Sequence, residues 1–258
     1  MTDDREMTVV EHLEELRKRI LWVLAVFVVA LIAGFYLAGP LIEYLKQEPI
    51  AEGVPIISLH PSDALRVYVQ AAVLIGIAVT LPVALYHLWR FVAPGLRDYE
   101  RRGTLYFIPA ASLLFILGIL FGYYIVFPMI MLFMTNLTNS IGADPNYGIG
   151  EYFGFLFNTV IPFGVLFQLP IVVMFLTRLR ILNPMRLAKM RRYAYFVLAV
   201  IAVTLTPPEI ISDILVTIPL LVLYELSVWL SRIVYRKQLK EDEEWEKEYG
   251  YQTDEALQ

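Results

Sequence analysis

The sequence predicts an all-α fold: a polytopic integral membrane bundle of six transmembrane helices, with both termini on the cytoplasmic side. Three observations lead there. Of the 258 residues, 58% are apolar and 18% charged, whereas a soluble domain carries about 45–50% and about 25%. The apolar excess is gathered into long runs separated by short charged stretches, the pattern of membrane spans. Nineteen of the 21 Lys and Arg residues then fall on one side of those runs, which fixes an orientation.

The runs, in order, cover residues 20–38, 67–89, 105–127, 152–176, 193–205 and 210–230. Pro82 lies in the second, Pro162 and Pro170 in the fourth, and Pro219 in the sixth. A span needs about 20 residues at about 1.5 Å each, so the first four qualify and the last two are marginal. The basic groups are Arg5 and Arg17–Arg19 before the first run and Arg90–Arg102 after the second. They continue with Arg178–Arg192 after the fourth and Arg232–Lys247 after the sixth; only Lys46 and Arg66 lie opposite. On the side of those two, long loops are expected at 39–66 and 128–151, with a tight turn at Thr206-Pro207-Pro208-Glu209. Residues 1–236 read as one transmembrane domain that includes an amphipathic N-terminal helix at 7–19. Residues 237–258 read as an acidic cytoplasmic tail, helical at first and then disordered.

Several classes of function are excluded at this level. With a net charge of −4 nothing suggests a nucleic-acid binder, and the absence of Cys excludes disulfides, Fe–S clusters and thiolate metal sites. His12, His60 and His87 are scattered, and no zinc-protease, phosphate-loop or Ser/His/Asp pattern occurs. No enzyme, metal or cofactor is called for. The charged N-terminus lacks the short apolar region of a cleavable signal, so the first run reads as an uncleaved helix.

The polar residues that remain are few. Glu14–Lys18 and Glu15–Arg19 are i,i+4 pairs on the N-terminal helix, of the kind that stabilises a solvated helix by about 0.2–0.5 kcal/mol each. Gln168 and Glu225 lie within spans and need partners there. Gly118 and Gly122 form a GxxxG, which reads as helix packing within the bundle. The fifth run is only about 20 Å long at 1.5 Å per residue, against a hydrocarbon core of about 30 Å. Its inner end is fixed by Arg191 and Arg192, and Pro207 and Pro208 end it. Spans five and six are therefore expected to form a thin edge, with Val203, Thr206, Glu209 and Asp213 near it, where a partner helix docks.

In their order these segments resemble a known family. They are Glu11-His12-Leu13-Glu14-Glu15-Leu16-Arg17-Lys18-Arg19, the stretch from Leu81-Pro82 through Phe91-Val92-Ala93-Pro94-Gly95-Leu96, and Glu100-Arg101-Arg102. Phe163–Pro170, Thr206-Pro207-Pro208-Glu209 and Ile218-Pro219 through Tyr224-Glu225 complete the set. Each motif is weak alone; six in register over about residues 7–236 are specific. The chain resembles the C subunit of the twin-arginine protein translocase.

The resemblance implies a glove-like bundle with a concave face. It implies a receptor for twin-arginine signal peptides that supports proton-motive-force-driven export of folded proteins across the cytoplasmic (inner) membrane. It gives Glu15 and Glu100 the role of recognising the signal, with Leu96 and Phe91 against its apolar residues, and two arginines do need two carboxylates. It places a polar site for the single-span A- or B-type subunits at Thr206 and Asp213, where Glu209 stands for an Asp of some relatives. Some members carry Glu where this chain has Gln168, so a role here is one of hydrogen bonding rather than proton transfer. Implied partners are those subunits, cargo precursors, lipid and further copies of the chain in a receptor complex. The alternative is a secondary transporter or channel for a small solute, which should show several facing charges at mid-membrane.

Overall fold

The computed structural model describes residues 9–47, 56–93, 105–143, 146–205 and 210–255. They are almost wholly helical and divide into two compact units, Met1–Val165 and Leu166–Gln258.

The first unit contains α1 (Val9–Gln47), α2 (Asp63–Val92), α3 (Phe107–Phe121), α4 (Phe127–Ser140) and α5 (Ile149–Leu166). A π-helical turn, Gly122–Val126, joins α3 to α4 directly ahead of Pro128. Several elements overrun their expected ends. The helix expected at 7–19 is, from Val9 on, the start of α1, which continues past Ala38 to Gln47 with Pro40 inside it. The α3–α4 rod likewise reaches Ser140, so both expected loops are shorter than 39–66 and 128–151. Where they meet, Ile56–Ile57 (β1) pairs in parallel with Tyr147–Gly148 (β2). Asp63 caps this end: it is buried, and its Oδ2 accepts from Leu59 N at 3.0 Å and His60 N at 2.9 Å. Gly150 packs so closely on it that an added Cβ would stand 2.7 Å from Asp63 Oδ1.

The α1–α2 seam is made by small residues. Ala30, Gly34 and Ala38 recur every fourth position along α1, and Ala30 and Ala38 are buried. A Cβ on Gly34 would stand 2.9 Å from the Ala72 carbonyl oxygen, and one on Gly76 3.2 Å from the Phe27 ring. Small residues let two backbones approach where lipid supplies no hydrophobic drive for association. The second glycine of the GxxxG, at the start of the π-helical turn, serves the same purpose. Gly122 lies against Val160 of α5, packing within the unit as expected. The core gathers Ile42, Leu45, Val67, Tyr123, Phe127, Tyr152, Phe153 and Phe157 toward the end that carries the β-pair.

The second unit contains α6 (Leu169–Arg178), α7 (Pro184–Lys189), α8 (Arg191–Leu205) and α9 (Ile210–Glu255). Pro170 has no N–H for the Leu166 carbonyl four residues back, and the helix is interrupted between α5 and α6 at Phe167 and Gln168. Pro162 and Pro219 are accommodated without a break. α6 ends in a Schellman motif: Arg180 N donates to Thr177 O at 2.9 Å and Ile181 N to Leu176 O at 3.1 Å. No glycine fills its left-handed position. Arg180 does, at φ 61°, with its guanidinium 2.6 Å from Asp242. α9 runs without interruption through the 236/237 boundary to Glu255, where a disordered end was expected. Its acidic stretch is clasped onto the end of α6. Gln238 Nε2 donates to the Arg178 carbonyl at 2.9 Å, Glu241 pairs with the buried Arg178 at 2.8 Å, and the hydroxyls of Thr177 and Ser231 meet at 2.7 Å.

Among the described residues, five helical stretches are long and apolar enough to cross a membrane: Leu13–Gln47, Asp63–Val92, Phe107–Ser140, Ile149–Arg178 and Val216–Glu244. The fifth of the six predicted spans is α8. Its 15 residues reach roughly 22 Å, so it is as short as the sequence implies.

Candidate functional site

α1 and α2 are antiparallel, so the N-terminal end of α1 meets the C-terminal end of α2. Beyond the small-residue seam, a groove of about 460 Å³ lies between the two helices. Leu16, Ile20 and Phe27 of α1 and Ala84, Leu88 and Phe91 of α2 are among its walls. The polar groups on those walls are Arg19, Thr80 and His87.

Glu15 lies beside this groove. Its Oε1 takes the Arg19 guanidinium in an i,i+4 ion pair, with the Glu15 side chain 26% and the Arg19 side chain 12% exposed. Arg19 also donates to the His87 carbonyl across the seam, at 3.3 Å. Glu15 Oε2 and Arg19 Nε are both buried, and neither has a hydrogen-bond partner among the described residues. One turn of sequence spacing gives a different outcome next door. Glu14 and Lys18 stand 3.0 Å apart with side chains 61% and 70% exposed, the solvated pair that the sequence suggests for both.

Of the four residues assigned to signal recognition, Glu15 and Phe91 come to the same end of the α1–α2 pair. Glu100 and Leu96 lie outside the described residues. Sequence reading missed Arg19 and His87 as members of the site. His87 belongs to the matched Leu81–Leu96 stretch, but nothing in its spacing from Arg19 shows that the helices bring them together.

The intramembrane polar residues are in the second unit. Glu225 Oε2 accepts from Arg191 at 2.9 Å and its Oε1 from the Tyr195 hydroxyl at 2.5 Å, so both oxygens are engaged. Tyr224 beside it donates to the Leu187 carbonyl at 2.9 Å. Gln168 is half-buried at the start of α6, and its carbonyl accepts from Val172 N at 2.9 Å. On α8, Leu198 and Ala202 are buried, while Phe196, Val200 and Val203 form an uncovered apolar stripe. Asp213 is half-buried; Thr206 and Glu209 lie outside the described residues.

Comparison with known proteins identifies the family. Residues 11–219 match the family model of the Sec-independent protein translocase protein (TatC). The Sec-independent protein translocase protein TatC of Halalkalibacterium halodurans is 47% identical over 247 residues, covering 96% of this chain and 98% of the relative. TatCy of Bacillus subtilis is 50% identical over 235 residues, covering 91% and 92%. A crystal structure of a twin arginine translocase receptor, TatC, superposes with a TM-score of 0.75 at 32% identity, covering 87% of this chain and 99% of that one. A second crystal structure of the receptor, in the detergent DDM, gives 0.76 at 34% identity. This multi-pass membrane chain belongs to the TatC family of Sec-independent protein translocase proteins.

Proposed function

We propose that the chain is the receptor and core subunit of a twin-arginine translocase: it binds the twin-arginine signal of a precursor and supports export of the folded cargo. The observation that carries this is Glu15, a part-buried carboxylate beside an apolar groove, already in contact with a guanidinium and with one oxygen uncommitted among the described residues. A guanidinium is a planar fork that matches a carboxylate better than an ammonium does. Glu100 supplies the second acid, and Phe91 and Leu96 meet the apolar residues of the signal.

The distribution of 19 of 21 basic residues on one side supports both termini in the cytoplasm and a cytoplasmic-membrane location. Residues 237–258 then form a cytoplasmic tail. Val203, Thr206, Glu209 and Asp213 form the docking place of single-span A- or B-type subunits, with further copies of the chain joining the receptor complex. Gln168 acts by hydrogen bonding. A small-solute pathway would draw on an uncommitted acid within a span, whereas Glu225 is committed to Arg191 and Tyr195.

The test is binding of a twin-arginine signal peptide, and of the same peptide with two lysines, to the full chain in lipid nanodiscs. Tight binding of the first and weak binding of the second is expected; equal binding overturns the reading.

A further inference from the structure

Glu14–Lys18 and Glu15–Arg19 have the same spacing on the same helix, yet only the second pair is enclosed. A pair that serves helix stability alone gains nothing from burial, because desolvation works against both charges. Arg19 is nevertheless held between α1 and α2, with its side chain 12% exposed and a long 3.3 Å bond to the His87 carbonyl. Its Nε is buried without a hydrogen-bond partner among the described residues, and so is Glu15 Oε2. The contact is thus one-sided: a single guanidinium nitrogen on a single carboxylate oxygen, where the two groups can form two parallel bonds.

From this we infer that Arg19 is a resident substitute for the signal's own arginine. In the free receptor it occupies the place on Glu15 that an incoming guanidinium takes, and binding exchanges one guanidinium for the other. The inference rests on Glu15 being the acid that receives the signal. Displacing Arg19 lowers the apparent affinity for every peptide by the same factor, because the competent state is only a fraction of the free receptor. Arg19 therefore sets the threshold of binding, while the preference for arginine over lysine stays with the acids.

The experiment measures the affinity of the full chain in nanodiscs for the Arg-Arg and Lys-Lys peptides. The variants are Arg19→Gln, Arg19→Lys, Lys18→Gln and Glu15→Gln. Lys18→Gln removes the same charge one residue away and reports general electrostatics. Arg19→Gln is expected to bind the Arg-Arg peptide about tenfold more tightly, which is about 1.4 kcal/mol. It should tighten the Lys-Lys peptide by the same factor, and Lys18→Gln should change little. Arg19→Lys should give a smaller tightening, because an ammonium holds the carboxylate at one point.

Unchanged or weaker binding by Arg19→Gln, or an equal gain in Lys18→Gln, overturns the exchange. If Arg19→Gln does not fold, Arg19→Lys decides: tightening supports the exchange, and unchanged or weaker binding overturns it. Wild-type affinity in Glu15→Gln brings down the functional reading itself. Weaker binding in both Arg19→Gln and Glu15→Gln brings down only the exchange.

Discussion

Glu15 and Glu225 are both paired with an arginine, and they differ in what remains of their capacity. Glu225 uses both oxygens: Arg191 takes one and the Tyr195 hydroxyl the other. Its carboxylate ties α8 to α9 and has little left to offer a ligand. Glu15 gives one oxygen to Arg19 and keeps the other buried without a hydrogen-bond partner among the described residues, beside a groove. A satisfied acid rigidifies what it joins, and a half-satisfied one retains a strong acceptor. In the sequence Glu15 has an i,i+4 arginine and Glu225 an unidentified partner; the geometry makes the second the structural group and the first the receptive one.

That contrast breaks most visibly if binding follows the wrong acid. The double variant Glu15→Ala, Glu100→Ala should lose signal-peptide binding by more than about a hundredfold. Each charge-assisted bond is worth about 1.5–3 kcal/mol, and every 1.4 kcal/mol is tenfold. Titration of the detergent-purified full chain with labelled peptide measures this, and an unchanged melting temperature shows that the fold is intact.

The region around Glu225 should act on transport instead. Lengthening α8 by one apolar turn would relieve the mismatch between its roughly 22 Å and a hydrocarbon core of about 30 Å. Peptide affinity should remain at the wild-type level while export of a folded reporter stops. A lengthened protein that exports normally removes the thin edge from the mechanism.

Packing offers a smaller handle. Gly34→Val drives a side chain into the Ala72 carbonyl, which an added Cβ already approaches to 2.9 Å. Overpacking of this kind costs about 1–3 kcal/mol. Thermal unfolding should show the loss, and the peptide affinity should fall with it because the seam sets the groove beside Glu15. The smallest effect is expected at Glu225 itself. Its pair with Arg191 is 40% exposed on each side, and Glu225→Gln should lower stability by about 1 kcal/mol or less while leaving peptide affinity unchanged.

The spans were legible because hydropathy reads them directly, and the short fifth span was legible because Arg191 and Pro207 bracket it. Helix ends were harder to place. Charged and aromatic residues such as Glu43, Tyr44 and Lys46 mark the end of an apolar run without ending a helix, and α1 carries them through Pro40 to Gln47. The Ala30–Gly34–Ala38 seam is not legible in the sequence, because alanines are indistinct within an apolar run, whereas Gly118 and Gly122 form a recognisable motif. At the candidate site, Glu15 was found through the family pattern. In the sequence Arg19 is an ordinary i,i+4 partner, because its burial depends on α2, 68 residues away in the chain. The acidic stretch of α9 looked like a solvated tail for the same reason. Its partners, Arg178 and Arg180, are about 60 residues back.

The central claim is that Glu15 itself reads the signal's guanidinium, and a double-mutant cycle tests it most directly. The full chain and its Glu15→Gln variant are each titrated with the Arg-Arg peptide and the Lys-Lys peptide. The predicted result is that the preference for arginine shrinks by at least about tenfold in the variant, because the lost carboxylate no longer distinguishes a fork from a point charge. If Glu15→Gln prefers arginine as strongly as the unaltered chain does, Glu15 is not the group that recognises it.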